Sequence, residues 1–116
     1  MPGDSENYII PTYDSDNRRN NPRFGINVSV SVLSVDEKTA LHNEKTETID
    51  VSANGVRILL GYPVRVGHHL SITANHKYLQ AKLADFIVKW VQPYEGRFLL
   101  GAELKSSPEK WQIIED

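Results

Sequence analysis

The chain contains no cysteine. That absence removes disulfides, thiolate nucleophiles and Cys-based zinc or iron–sulfur sites together, makes a secreted disulfide scaffold untenable, and fits a reducing compartment. Long apolar runs are missing too. None approaches the ~20 residues that span a bilayer, and the N-terminus has neither the basic region nor the apolar stretch of a secretory signal. The expectation is a soluble, untargeted, cytoplasmic protein without membrane insertion. An excess of positive charge is also absent: 13 Lys plus Arg stand against 15 Asp plus Glu, so the molecule lacks the basic field of a generic polynucleotide binder. What is present, 116 residues of which 40% are hydrophobic and 24% charged, suffices for one small domain with a buried core and leaves no room for a multidomain enzyme.

The distribution of charge says more than its sum. Residues 1–17 hold Asp4, Glu6, Asp14 and Asp16 and no base, whereas residues 18–23 hold Arg18, Arg19 and Arg23 and no acid. The dense cationic spot is therefore six residues long. Residues 1–16, punctuated by Pro2 and Pro11, read as an acidic tail.

From Gly25 the pattern becomes strictly alternating, with Ile26, Val28, Val30 and Val32 on one face and Asn27, Ser29 and Ser31 on the other, which is a half-buried strand. Asp36 to Glu44 reads as a polar connection, Thr46 to Val51 as a second strand, and Asn54-Gly55 as a tight-turn signal before Val56 to Leu60. Gly61-Tyr62-Pro63 breaks the chain again before Val64, Val66, Leu70 and Ile72. In Leu79 to Val91, Ala84, Phe86, Val88 and Trp90 share one parity; β-branched content and the 2-residue period favour strand over helix. Gln92 to Gly96 reads as a turn, Phe98 to Leu104 as the last alternating strand, and Ser107-Pro108-Glu109 as the start of a short C-terminal turn or helix over Lys110 to Ile114. About six short strands with almost no helix between them predict an antiparallel barrel or small sandwich, and closure is the economical way to leave no edge exposed.

Two constellations can carry chemistry. In Arg18-Arg19-Asn20-Asn21-Pro22-Arg23, each guanidinium is a fixed fork of donors suited to phosphate oxygens or the O6/N7 edge of guanine. A solvated charge run is the structural alternative. In Asp50-Val51-Ser52-Ala53-Asn54-Gly55, extended geometry presents Asp50 and Ser52 on one side. A carboxylate there accepts from the N1–H and N2–H2 donors of guanine, a hydroxyl adds a second polar contact, and Gly55 permits close backbone approach. A plain hairpin capped by Asp50 and Ser52 is the structural alternative.

Taken together, Arg19-x-x-x-Arg23 followed 27 residues on by Asp50-x-Ser52-x-x-Gly55 resembles the PilZ domain, a family of bacterial receptors for the second messenger cyclic di-GMP. The resemblance runs over about residues 17 to 105: Gly55-Val56-Arg57-Ile58 is similar to the apolar strand after the second motif, Val66-Gly67-His68-His69-Leu70 to a Gly-x-x-hydrophobic segment, and Val88-Lys89-Trp90-Val91 and Leu100-Gly101-Ala102-Glu103-Leu104 to the last two strands. Lys89 and Ala102 stand where the family more often has Val.

The resemblance implies an all-β fold: a six-stranded antiparallel β-barrel of split-barrel type over residues 17–107, a flexible N-terminal arginine loop, and a C-terminal tail or short helix over 108–116. It implies a non-enzymatic cyclic di-GMP receptor or adaptor, without cofactor or metal, that orders its arginine loop on binding and signals to an effector protein as a monomer or homodimer. Arg19 and Arg23 would contact phosphates and guanine edges, and Asp50, Ser52 and Gly55 would hold a guanine from the barrel side. Arg18 would favour two intercalated nucleotides per chain or else stay solvated. Trp90 would stack on the ligand or, by its parity with Phe86 and Val88, sit in the core.

Rival readings are a PilZ-like interaction module, such as a motility or pilus adaptor with little nucleotide binding, and a barrel for single-stranded nucleic acid. The full motif set argues against the first and the charge balance against the second. His68 and His69 are adjacent strand residues facing opposite sides, which disfavours a metal site. Asn27-Val28-Ser29 matches a glycosylation sequon only as a coincidence of strand composition.

Overall fold

Alternating apolar residues from Val28 onward fold as expected in the computed structural model, which describes residues 22–35 and 40–114. Among the described residues, seven strands follow in chain order: β1 (Ser29–Val35), β2 (Leu41–Ser52), β3 (Gly55–Leu60), β4 (His69–His76), β5 (Leu79–Tyr94), β6 (Arg97–Leu104) and β7 (Trp111–Ile113). They pair antiparallel in the order β4-β1-β2-β3-β6-β5-β7, and β4 also pairs with β5. That last pairing closes β1 to β6 into a six-stranded barrel, so each long strand has neighbours on both sides and the backbone polar groups are satisfied within the sheet.

The barrel is filled by Val28, Val32, Val51, Val56, Ile58, Leu60, Leu70, Ile72, Leu79, Phe86, Val88 and Leu100, all essentially inaccessible to water. These side chains come from every strand of the ring. Trp111 closes one end, its ring edge-on to Phe86 at 4.8 Å between centroids, and its indole N–H donates to the Ser52 carbonyl at 2.8 Å.

Three register shifts interrupt the pairing: between Thr48 and Asp50 on β2, between Ile72 and Ala74 where β4 faces β5, and between Val88 and Trp90 on β5. An extra residue in one strand reverses which parity faces inward beyond it. On β2, Thr46 and Thr48 face the interior before the shift and Val51 after it. On β5, Leu79 and Ala81 face inward, then Ala84, Phe86 and Val88. Leu83, in a left-handed conformation at φ 50, lies in the β4–β5 irregularity. The departure noted at Lys89 falls in the Val88–Trp90 shift, where the side chain is exposed beside Glu103 at 3.6 Å.

Several boundaries differ from the sequence expectation. Leu41 to Glu44, read as part of a connection, already belong to β2, because β1 reaches far enough to pair with them, Val32 opposite Glu44 and Ser34 opposite His42. The β5–β6 turn narrows to Glu95-Gly96, both at positive φ (50 and 81), the pattern of a type I′ hairpin turn. At the C-terminus, Ser107-Pro108 opens only one 3-10 turn, Pro108–Lys110, before Trp111 returns to extended backbone. The helical option for Lys110 to Ile114 is corrected to strand β7. Its partner is the stretch Leu79–Ala81 of β5, which pairs with β4 on the other side and lies beyond the end of β6; pairing with it also buries Trp111.

Candidate functional site

The two-residue hairpin between β2 and β3 sets the geometry. Ser52 opposes Gly55, Val51 opposes Val56 and Asp50 opposes Arg57. The register shift just before Asp50 turns it to the outer surface, on the same side as Arg57 and Ser52. Asp50 is nonetheless only 3% exposed, because guanidinium groups cover it. Arg57 donates from Nε to Asp50 Oδ2 at 2.8 Å and from Nη2 to the same oxygen. Arg23 donates from Nη1 to Oδ1 at 3.3 Å. A buried carboxylate needs such donors, since desolvation without them costs several kcal/mol.

Arg23 is carried there by the segment leading into β1, which runs along β2. Phe24 and Val51 exchange both backbone hydrogen bonds, at 2.7 and 2.9 Å. Thr48, fully buried, donates from Oγ1 to the Ile26 carbonyl at 2.6 Å and accepts from the Val28 N–H at 2.9 Å. Asn27 donates from Nδ2 to the Thr48 carbonyl at 2.7 Å. The stretch from Phe24 to Val28 that carries Arg23 is thus pinned at the register shift that turns Asp50 outward.

Ser52 donates to Asn54 Oδ1 at 3.2 Å, and Gly55 serves close packing: a Cβ there would sit 3.2 Å from the Ala102 carbonyl oxygen. Gly55 is not in a left-handed conformation, so the Asn-Gly signal marks a close approach of β3 to β6 rather than a left-handed turn.

Trp90 is 37% exposed and not part of the core. Its parity with Phe86 and Val88 is broken by the register shift between Val88 and Trp90, so it faces outward and opposes Gly101 on β6. Gly101 in turn opposes Arg57. Asp50, Arg57, Gly101 and Trp90 therefore form one cross-strand row over β2, β3, β6 and β5, roughly 14 Å long at about 4.8 Å per strand.

Of the residues expected at the site, Arg23 and Asp50 meet directly, Ser52 and Gly55 adjoin them, and Trp90 stands at the far end of the row. Arg18 and Arg19 lie outside the described residues. Arg57 and Gly101 were not expected. Arg57 had a signal: any two-residue turn that pairs Ser52 with Gly55 places it opposite Asp50. Among the described residues, no group of three or more His, Asp or Glu side chains could hold a metal ion, and no helix is long and apolar enough to cross a membrane.

A family model described as PilZ domain matches residues 17–115. Among solved structures, the fold is similar to "Structure of Bacillus subtilis Inhibitor of motility (MotI/DgrA)", with a TM-score of 0.55 and 16% identity over 77% of this chain and 43% of that one. The chain thus spans less than half the length of that protein, and the likeness is one of fold. No curated protein matches the sequence.

Proposed function

The chain belongs to the PilZ domain family, and from that premise we propose that it is a receptor for cyclic di-GMP that passes its signal to another protein. The observation that carries this reading is the Arg23–Asp50–Arg57 arrangement: a buried carboxylate on the outer barrel surface, held at both oxygens by guanidinium groups from two different segments. Guanine presents two adjacent donors, N1–H and N2–H2, to a carboxylate. Each phosphodiester keeps one negative charge, which suits arginine. On binding, Arg23 exchanges Asp50 for a phosphate or a guanine O6/N7 edge, Asp50 accepts from a guanine, and Ser52 and Trp90 contact the ligand from the barrel side. Arg19 supplies the second fork, and Arg18 favours a second, intercalated nucleotide.

The output is mechanical rather than chemical, since PilZ domains are binding and adaptor modules. Moving Arg23 from carboxylate to ligand alters the surface formed by the segment before β1, and a partner protein reads the change. The alternative of an interaction module with little nucleotide affinity is favoured by one observation: both carboxylate oxygens of Asp50 are engaged by arginines of the same chain.

Calorimetric titration with cyclic di-GMP separates the two. The receptor reading expects micromolar or tighter binding by the wild type and loss of at least ~10-fold in Arg19→Ala, Arg23→Ala and Asp50→Ala, since a charge-assisted hydrogen bond is worth about 1.5–3 kcal/mol. No heat from the wild type rejects it. One nucleotide per chain rejects the intercalated pair.

A further inference from the structure

Gly101 occupies the centre of the outer row, between Arg57 on one neighbouring strand and Trp90 on the other. A Cβ at this position would stand 2.8 Å from Cζ2 of Trp90 and closer still to its Nε1 and Cε2, with no other group nearer. The indole occupies the volume that any side chain at 101 would fill. No left-handed conformation explains the glycine, so the backbone would accept alanine, and the indole would have to move.

We propose that Gly101 is a specificity-determining residue of the nucleotide site. Its missing side chain seats the Trp90 ring against the β6 backbone beside Arg57, so that aromatic face, guanidinium and the Asp50 carboxylate make one continuous platform for a purine base. This rests on the receptor reading above. An indole displaced from Gly101 still has the chemistry of tryptophan but no longer lines up with Arg57 and Asp50. The platform is therefore a property of the pair Gly101–Trp90, not of Trp90 alone. Purine recognition by stacking is tolerant of sequence, whereas the hydrogen bonds to Asp50 discriminate guanine. Holding the base in the plane that reaches Asp50 couples the two.

The test is a double-mutant cycle with Gly101→Ala, Trp90→Ala and the double variant, titrated with cyclic di-GMP and with cyclic di-AMP. Thermal melts are run alongside to show that the barrel is intact. The expected result is a loss of ~10-fold or more in cyclic di-GMP affinity for each single variant, with the double variant no weaker than Trp90→Ala, and a reduced preference for cyclic di-GMP over cyclic di-AMP in Gly101→Ala. A Gly101→Ala variant that binds like the wild type, or losses that add in the double variant, overturns the proposal while leaving the receptor reading standing. A wild type that takes no cyclic di-GMP overturns both.

Discussion

Asp50 and Arg57 face each other across the β2–β3 hairpin, and the Arg57 guanidinium donates through Nε and Nη2 to a single carboxylate oxygen, Oδ2. The other oxygen, Oδ1, is left to Arg23. The two arginines are not equivalent: one is fixed in a central strand, the other arrives with the segment before β1.

Arg57→Ala leaves a buried carboxylate with Arg23 as its remaining side-chain partner among the described residues. Stability in urea unfolding should fall by about 1–3 kcal/mol, and cyclic di-GMP affinity should fall because Asp50 loses its fixed orientation. Arg57→Lys should recover part of the stability, since a point charge remains, and less of the affinity, since the rigid fork does not. Unchanged binding in Arg57→Ala would show that the carboxylate needs no positioning.

The alternating pattern made the barrel readable, because each strand keeps one face in the core over several residues. The same pattern left Trp90 open between the ligand face and the core. Its parity with Phe86 and Val88 is correct in sequence, but the register shift after Val88 reverses the face. Asp50 shares parity with buried Thr46 and Thr48 and is turned out in the same way by the shift after Thr48. A one-residue shift has no composition of its own, so residue types identified the chemistry of Asp50 while the side it faces came only with the strand pairing. Gly101 was invisible for a different reason. A glycine in a strand reads as weak packing until the ring that fills its space is known. The helical option after Pro108 gave way to a single turn because a local start signal extends only where nothing competes, and the edge of β5 did.

Thr48→Val isolates the anchoring of the arginine segment. Valine keeps the shape and loses both the donation to Ile26 and the acceptance from Val28, leaving a carbonyl and an N–H unpartnered where Thr48 is fully buried. The expected cost is about 2–3 kcal/mol in chemical denaturation, accompanied by weaker cyclic di-GMP binding because the segment that places Arg23 loses its tie to β2. If stability falls while affinity is unchanged, the anchor does not position Arg23.

At the opposite end of β2, burial pushes the Tyr62 phenol above its ordinary value of 10.0; the hydrogen bond with Ser34 pulls it down, and the charge of Glu44 pushes it up. The folded protein then keeps a proton that the unfolded chain releases. This contribution to stability is complete below about pH 10 and is lost as pH rises through the folded value. Tyr62→Phe removes the titration. In paired melts the wild type should lose stability relative to Tyr62→Phe above pH 10, although below that pH it is the more stable by about 0.5–1.5 kcal/mol, from its 2.7 Å bond to Ser34. Parallel pH profiles for the two proteins would contradict the assignment.

Trp111→Phe tests whether the C-terminal strand supports the proposed ligand site or only the barrel. Phenylalanine preserves an aromatic group against Phe86 but removes the indole N–H, so the Ser52 carbonyl loses a buried 2.8 Å partner. Stability should fall by about 1–3 kcal/mol. Because Ser52 lies two residues from Asp50 on the same outer face, loosening its carbonyl should also lower cyclic di-GMP affinity several-fold, and saturating ligand should recover part of the lost melting temperature by mass action. In hydrogen exchange, the amide of Ile114, which donates to the Tyr78 carbonyl at 2.9 Å, should be less protected in the variant and regain protection with ligand. A drop in stability with neither an affinity change nor ligand-dependent protection at Ile114 would confine Trp111 to closing the barrel, and would direct the search for the output surface to the arginine segment instead.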